Sequence, residues 1–219
     1  MGIYTIFTSG YSWQIVLIVL FAYLIAIAVA IVFHEFAHAF VAYKNGDDTA
    51  KLCGRMSLNP AAHFDPLGFL CLLLLGFGWA KPVPVNELNF KNIKKGRILV
   101  GFAGVIANII LAVVSSFLFV LFYNVLDLNV YFNYFVVTLF QYMAFINIML
   151  AIFNLLPIYP LDGFNIIRAF CKPGNQFVSF MYRYGIIFLL IVMIAGGYWL
   201  SQLVSIIFNG LVNLFALMF

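Results

Sequence analysis

Apolar residues run almost unbroken from Trp13 to Tyr43, then give way to a polar stretch at 44–65 containing the turn pairs Asn45-Gly46 and Asn59-Pro60. A run of that length is enough to cross a bilayer and project beyond it. Residues 66–80 are apolar again, but at about fifteen residues they are short for a crossing and closer to a re-entrant segment. Lys81-Pro82-Val83-Pro84-Val85-Asn86 follows. Two prolines in alternation exclude a helix interior and suit an extended edge segment. Further spans are predicted at about 98–123, 134–158 and 184–204, with an interfacial or embedded tail at 205–219.

The pattern predicts an all-α membrane protein. It is a polytopic bundle of about four spanning helices, plus a re-entrant, partly β-like segment after the first helix. The chain reads as a single domain over 1–219, with a core at 13–165 and C-terminal helices at 184–219. No internal repeat interrupts it.

Composition agrees. Hydrophobic residues make up 66% of the chain and charged residues 8%, where soluble domains are about half apolar and a quarter charged. Residues 1–12 contain no Lys or Arg, so the first apolar run is expected to stay in the mature protein and not to be a signal peptide. The net charge of +4 needs no nucleic acid to explain it. All basic residues fall within 44–97 or 168–183, and the loop at 124–133 has none. If 66–80 does not cross, both basic regions share one face, which the positive-inside rule makes cytoplasmic. The N-terminus is then outside. Cys53, Cys71 and Cys171 are widely spaced and form no CxxC pair; they are expected to be reduced and structural.

The polar exceptions carry the chemistry. His34-Glu35-Phe36-Ala37-His38 lies in the last third of the first apolar run. Ionisable groups at membrane depth are costly and usually functional. Residues four apart on a helix share a face, so His34 and His38 are placed to ligate one metal ion. Glu35 projects beside that ion, suited to activating a bound water. A catalytic zinc takes three protein ligands and keeps one position open. The candidates for the third are His63, Asp47, Asp48, Asp65, Glu87, Asp127 and Asp162. Asp162 is best placed, after a helix end broken by Pro157 and Pro160 and before Gly163. It would bring the two motifs to the same face. His63 and Asp65 read either as a turn before Pro66 or, for His63, as an alternative ligand.

These residues resemble a known family. The chain is similar to site-2 proteases, intramembrane zinc metalloproteases, in the compact prokaryotic form without a PDZ domain. The resemblance is carried by His34–His38, by Gly54-Arg55-Met56-Ser57-Leu58-Asn59-Pro60, by His63-Phe64-Asp65-Pro66-Leu67-Gly68, by Gly78–Asn86, by Ala103-Gly104-Val105-Ile106-Ala107-Asn108 and by Phe153–Gly163. It implies that Zn2+ is bound by His34, His38 and Asp162, that Glu35 is the general base, and that Asn154 and Asn108 hold the substrate or its developing oxyanion. It also implies that a β-like segment around 66–90 pairs with extended substrate. Val105 stands where the family usually has Pro. The implied partners are transmembrane proteins or signal-peptide remnants in the lipid bilayer of the cell membrane, with the active site near the cytoplasmic face. A metal-binding membrane transporter would repeat ligands along a path through several helices, whereas these form one cluster. An inactive protease-like scaffold would not need the intact His-Glu-His-Asp set.

Overall fold

A computed structural model describes residues 12–75, 78–125, 127 and 129–219. Four helices are long and apolar enough to cross a membrane. They are α1 (Trp13–Lys44), α5 (Ile93–Val125), α6 (Val130–Asn154) and α8 (Gln176–Ala216). Between α1 and α5 lie short helices α2 (Thr49–Leu52), α3 (Pro60–His63) and α4 (Pro66–Leu75), then a 3₁₀ turn at Glu87–Asn89. Helix α7 (Asp162–Arg168) links α6 to α8. The chain is a multi-pass helical membrane protein.

Helices α1, α5 and α6 pack on one another, and α8 packs on α5 and α6. Ala22, Ala26 and Ala30 are fully buried along one stripe of α1. In lipid, apolar burial no longer favours helix association, so close backbone approach at small residues does more of the work. Ala112, Ala144, Ile148, Val204 and Phe208 form a core cluster shared by α5, α6 and α8. Most large exposed side chains, such as Phe21, Ile110 and Ile194, are apolar, as a lipid-facing surface requires.

The connections at one end of the bundle are tied together. Lys91 N–H donates to Asn45 O at 2.9 Å, so the end of α1 and the start of α5 lie side by side. Arg97, at the start of α5, pairs with Glu87 at 2.7 Å. Arg168, at the end of α7, pairs with the same carboxylate and donates to Tyr182 Oη of α8 at 2.7 Å. Segment 45–92 therefore leaves and returns at one end. Helix α4, ten residues long, reaches only about 15 Å and does not cross.

Two expectations need correction. No strand occurs among the described residues, so the partly β-like character expected of the re-entrant segment is not supported. Residues 66–75 are helical, and 78–86 are irregular with no ladder partner. The reason is that side chains take most of the backbone groups seen bonded in 81–86: Arg55 the carbonyls of Lys81 and Pro82, Glu35 Val83 N–H, and Asp47 Asn86 N–H, while Lys81 N–H goes to His63 O. The second correction concerns the C-terminal span. In place of a span at 184–204 with a separate tail, α8 is one helix of 41 residues, about 60 Å long. Nothing from Gly185 to Ala216 is charged or proline, and its glycines weaken a helix without ending it.

Asp47 organises the connection. It is fully buried and accepts from Thr49 N–H (3.1 Å), Thr49 Oγ1–H (2.5 Å), Asn89 Nδ2 (2.9 Å) and Asn86 N–H (2.7 Å). Burial alone raises its pKa, but the hydrogen bonds from Thr49, Asn89 and Asn86 outweigh it and hold the carboxyl below the ordinary value. A depressed folded pKa stabilises the fold above the unfolded pKa, about 3.9, and the effect is lost as pH falls through the folded value. Asp47→Asn is expected to lower stability by about 1–3 kcal/mol at neutral pH. Thermal melts in detergent should also show a flatter pH dependence below pH 4 for the variant than for the wild type.

Candidate metal centre

His34 and His38 are successive-turn positions on α1 and both are buried. Asp162 opens α7, just after the irregular 155–161 connection that contains a cis Tyr159–Pro160 peptide. His34 Nε2 and His38 Nε2 are 3.0 Å apart, and Asp162 Oδ2 lies 3.4 and 3.2 Å from them. All three side chains present one ligand atom within a radius suited to a single ion. Tetrahedral donors at about 2.0–2.1 Å from zinc stand about 3.3 Å apart, close to these separations.

The tautomers can be worked out from an anchor outside the site. Met143 O can only accept, and Asn147 Nδ2 donates to it at 2.7 Å. Asn147 therefore turns its Oδ1 to Asn108, which donates from Nδ2 at 2.7 Å. Asn108 Oδ1 then faces His34 Nδ1 at 2.5 Å, so that nitrogen carries the proton. His38 Nδ1 likewise donates to Val100 O at 2.7 Å. Both Nε2 atoms are left with lone pairs aimed at each other and at a carboxylate. Asp162 Oδ2 is buried without a hydrogen-bond partner. Two imidazole lone pairs and a carboxylate at 3.0–3.4 Å repel unless a cation lies among them, so this donor set fits a divalent metal. Hydrogen bonds from the far ring nitrogens are how metal-ligating histidines are normally oriented.

Helix α5 comes close because Gly104 has no side chain. A Cβ there would lie 2.5 Å from both His34 Cε1 and His38 Nε2. Val105, next to it, is buried inside an unbroken helix, so the residue at this position need not begin a turn.

Glu35 faces a cleft of about 360 Å³ lined also by Val83, Val85, Asn154, Asp162 and Asn165. Its Oε2 accepts Val83 N–H at 2.9 Å. Asn154 borders the same cleft and spends one N–H on Leu150 O at 3.0 Å. Asn108 is fully buried, with its amide engaged on both sides. His63 stands apart from the cluster: it is buried, with Nε2 bonded to Ser57 O at 2.8 Å. Asp65 caps the start of α4 by accepting Gly68 N–H at 2.8 Å. Asn147, Asn165 and Arg55 belong to the site's surroundings and are not singled out as site residues by sequence reasoning. An Asn or Arg in an apolar chain is a signal of function, but its partner is set by helix register across the bundle.

Asn108→Leu removes the acceptor for His34 Nδ1 and is expected to weaken metal affinity about 10–100-fold, as measured by competition with a chromophoric chelator. Gly104→Ala should cost at least as much metal, with the helical circular dichroism preserved. An unchanged metal content in that variant would show that α5 can retreat.

Comparison with known proteins gives a consistent placement. The family model described as Peptidase family M50 matches residues 124–192, a range that includes Asp162 but not the His pair. The chain is 39% identical to "Putative zinc metalloprotease YwhC" of Bacillus subtilis (strain 168), over 89% of this chain and 91% of that protein. It is 28% identical to "Putative zinc metalloprotease Rip2" of Mycobacterium tuberculosis (strain ATCC 25618 / H37Rv), over 76% of this chain and 64% of that one. It is also 28% identical to "Zinc metalloprotease MJ0392" of Methanocaldococcus jannaschii, over 75% of this chain but 37% of the relative. No solved structure matches. With a buried His-His-Asp cluster and a relative aligned over nearly its whole length, this chain belongs to peptidase family M50.

Proposed function

We propose that the protein is an intramembrane zinc endopeptidase of the site-2 type, cleaving peptide bonds within or near transmembrane segments. The observation that carries this reading is the buried convergence of His34, His38 and Asp162, with Glu35 alongside on the same cleft. The zinc named in its relatives fits the two-nitrogen, one-oxygen donor set. When bound, zinc supplies a Lewis acid and makes water acidic enough to give up a proton near neutral pH.

The residues divide the remaining work. His34, His38 and Asp162 hold the ion. Asn108 and Val100 O orient the two rings. Glu35 takes the proton from the attacking water and returns it to the leaving amine nitrogen. Asn154 has a second N–H available for the substrate carbonyl oxygen as charge develops there.

A transmembrane helix must open locally before its peptide bond can be attacked. The segment Lys81–Asn86 is suited to receive it. Lys81 and Val83 both precede proline, which confines them to extended conformations. Along extended backbone, residues 83 and 85 present N–H and C=O to one side, and 82 and 84 to the other. Pro82 and Pro84 have no N–H, so donors remain on only one edge. That edge meets Glu35 at Val83, whose N–H is taken by the carboxylate, so Val83 O and the N–H and C=O of Val85 are left for substrate. Substrate added there as a strand would lie across the metal cluster.

The orientation follows from charge. The connections at the site end carry the basic residues, so that end is cytoplasmic and the N-terminus is outside. Water reaches the cleft from the cell interior.

The test is purification in detergent, a zinc count, and a panel of single-span substrates with and without chelator. Glu35→Gln is expected to retain zinc and lose cleavage. Asp162→Ala is expected to lose zinc. Cleavage by Glu35→Gln would remove Glu35 from the base role, and full zinc content in Asp162→Ala would point to another third ligand.

A further inference from the structure

Arg55 is buried at 8% exposure in the connection between α2 and α3, and its side chain bonds to residues 26 and 27 positions away. Both its acceptors are carbonyl oxygens. Nη2 donates to Lys81 O and, at 3.2 Å, to Pro82 O. Its Nε is buried with no partner. A buried guanidinium without a carboxylate is expensive. Two peptide dipoles do not offset that as an ion pair would, so a fold optimised only for stability would favour an apolar chain here.

The position of its second acceptor suggests what the charge does. Pro82 O and Val83 N belong to the same peptide group. The carbonyl accepts from Arg55 at 3.2 Å, and the amide donates to Glu35 Oε2 at 2.9 Å. In a trans peptide these bonds point to opposite sides. The guanidinium, one peptide plane and the Glu35 carboxylate thus form a single hydrogen-bonded chain. A cation on the carbonyl polarises the amide and makes its N–H a stronger donor.

We infer that Arg55 is a positioning residue for Glu35, acting through the Pro82–Val83 peptide. It holds that plane so that Val83 N–H fixes the carboxylate beside the metal cluster. This rests on the proposed role of Glu35 as the base. Arg55 touches neither metal nor substrate. Its effect is to keep Glu35 within the narrow range of positions from which a proton can be transferred, where a misplacement of about 1 Å can cost about 10²-fold. The same contact sets the register of the edge at 81–86 while leaving Val83 and Val85 facing the cleft.

Arg55→Met replaces the charge with an apolar chain of similar reach. The expected result is a kcat about 10²-fold lower, a KM raised far less than kcat falls because the substrate edge loosens with the same contact, full zinc content and a melting temperature at or above the wild-type value. Arg55→Lys, a point charge on a similar stem, should recover most of the lost kcat. Hydrogen exchange of the 81–86 amides should rise in Arg55→Met with and without zinc, while exchange in α1 stays unchanged. If Arg55→Met does not accumulate, Arg55→Gln carries the same comparison. A wild-type kcat, or a kcat that falls only in step with zinc content, would overturn the assignment. The two failures are separable. A zinc-loaded wild type that cleaves no substrate, or a Glu35→Gln variant as active as wild type, would remove the proposed reaction itself. If both controls behave as proposed, a fully active Arg55→Met removes only the role of Arg55.

Discussion

Two imidazole lone pairs and a carboxylate oxygen are forced to face one another inside a bundle that excludes most water. Neither ring can turn away. His38 is tied to a backbone carbonyl, and His34 to an amide whose orientation is dictated by Asn147 and finally by Met143 O. The relay runs from α6 through α5 to α1, so the three central helices cannot shift register without misdirecting a ligand. The arrangement converts helix packing into a demand for a cation. It also accounts for a polar layer deep in the bundle, where Asn108 and Asn147 are both fully buried and their amides are engaged. Unpaired amides there would be costly.

The same logic extends to the mouth of the cleft. The segment 81–86 has no strand partner, yet it is not free. Side chains from α1, from the connection after α2 and from the loop after α1 each hold one point of it, through Glu35, Arg55 and Asp47. Carboxylates take the N–H groups of Val83 and Asn86, His63 O takes that of Lys81, and a guanidinium takes the carbonyls of Lys81 and Pro82. Glu87 then joins α5, α7 and, through Arg168, the first turns of α8. Because α7 carries Asp162, the ion-pair cluster and the metal cluster share a rigid element.

Toward lipid, the balance changes. Exposed side chains are overwhelmingly apolar, and α8 meets the rest of the protein along only part of its length. At about 60 Å it exceeds the hydrocarbon thickness of about 30 Å. A tilt or a projecting end is needed to accommodate it.

Periodicity and length were enough to read the four crossings, because a span of apolar residues has few alternatives in a bilayer. The i, i+4 spacing placed His34 and His38 on one face for the same local reason. The helix stop before Pro157 and the turn at Asn59-Pro60, where Asn59 accepts Ala61 N–H, are also local and were legible. Strand pairing was not, because it needs a partner, and side chains from elsewhere take the backbone groups of 81–86. The unbroken length of α8 also escaped, since a soft hydropathy boundary near residue 204 does not end a helix. What the chain alone determined is its membrane class, its crossings and the residue types able to bind metal, all set by solvent and by contacts within a turn. The sequence pointed to Asp162 as the carboxylate, but how it meets the histidines, which groups aim their rings, and which peptide reaches Glu35 were decided only by tertiary structure. Those contacts join residues 39 to 128 positions apart, and their geometry exists only once the helices have packed.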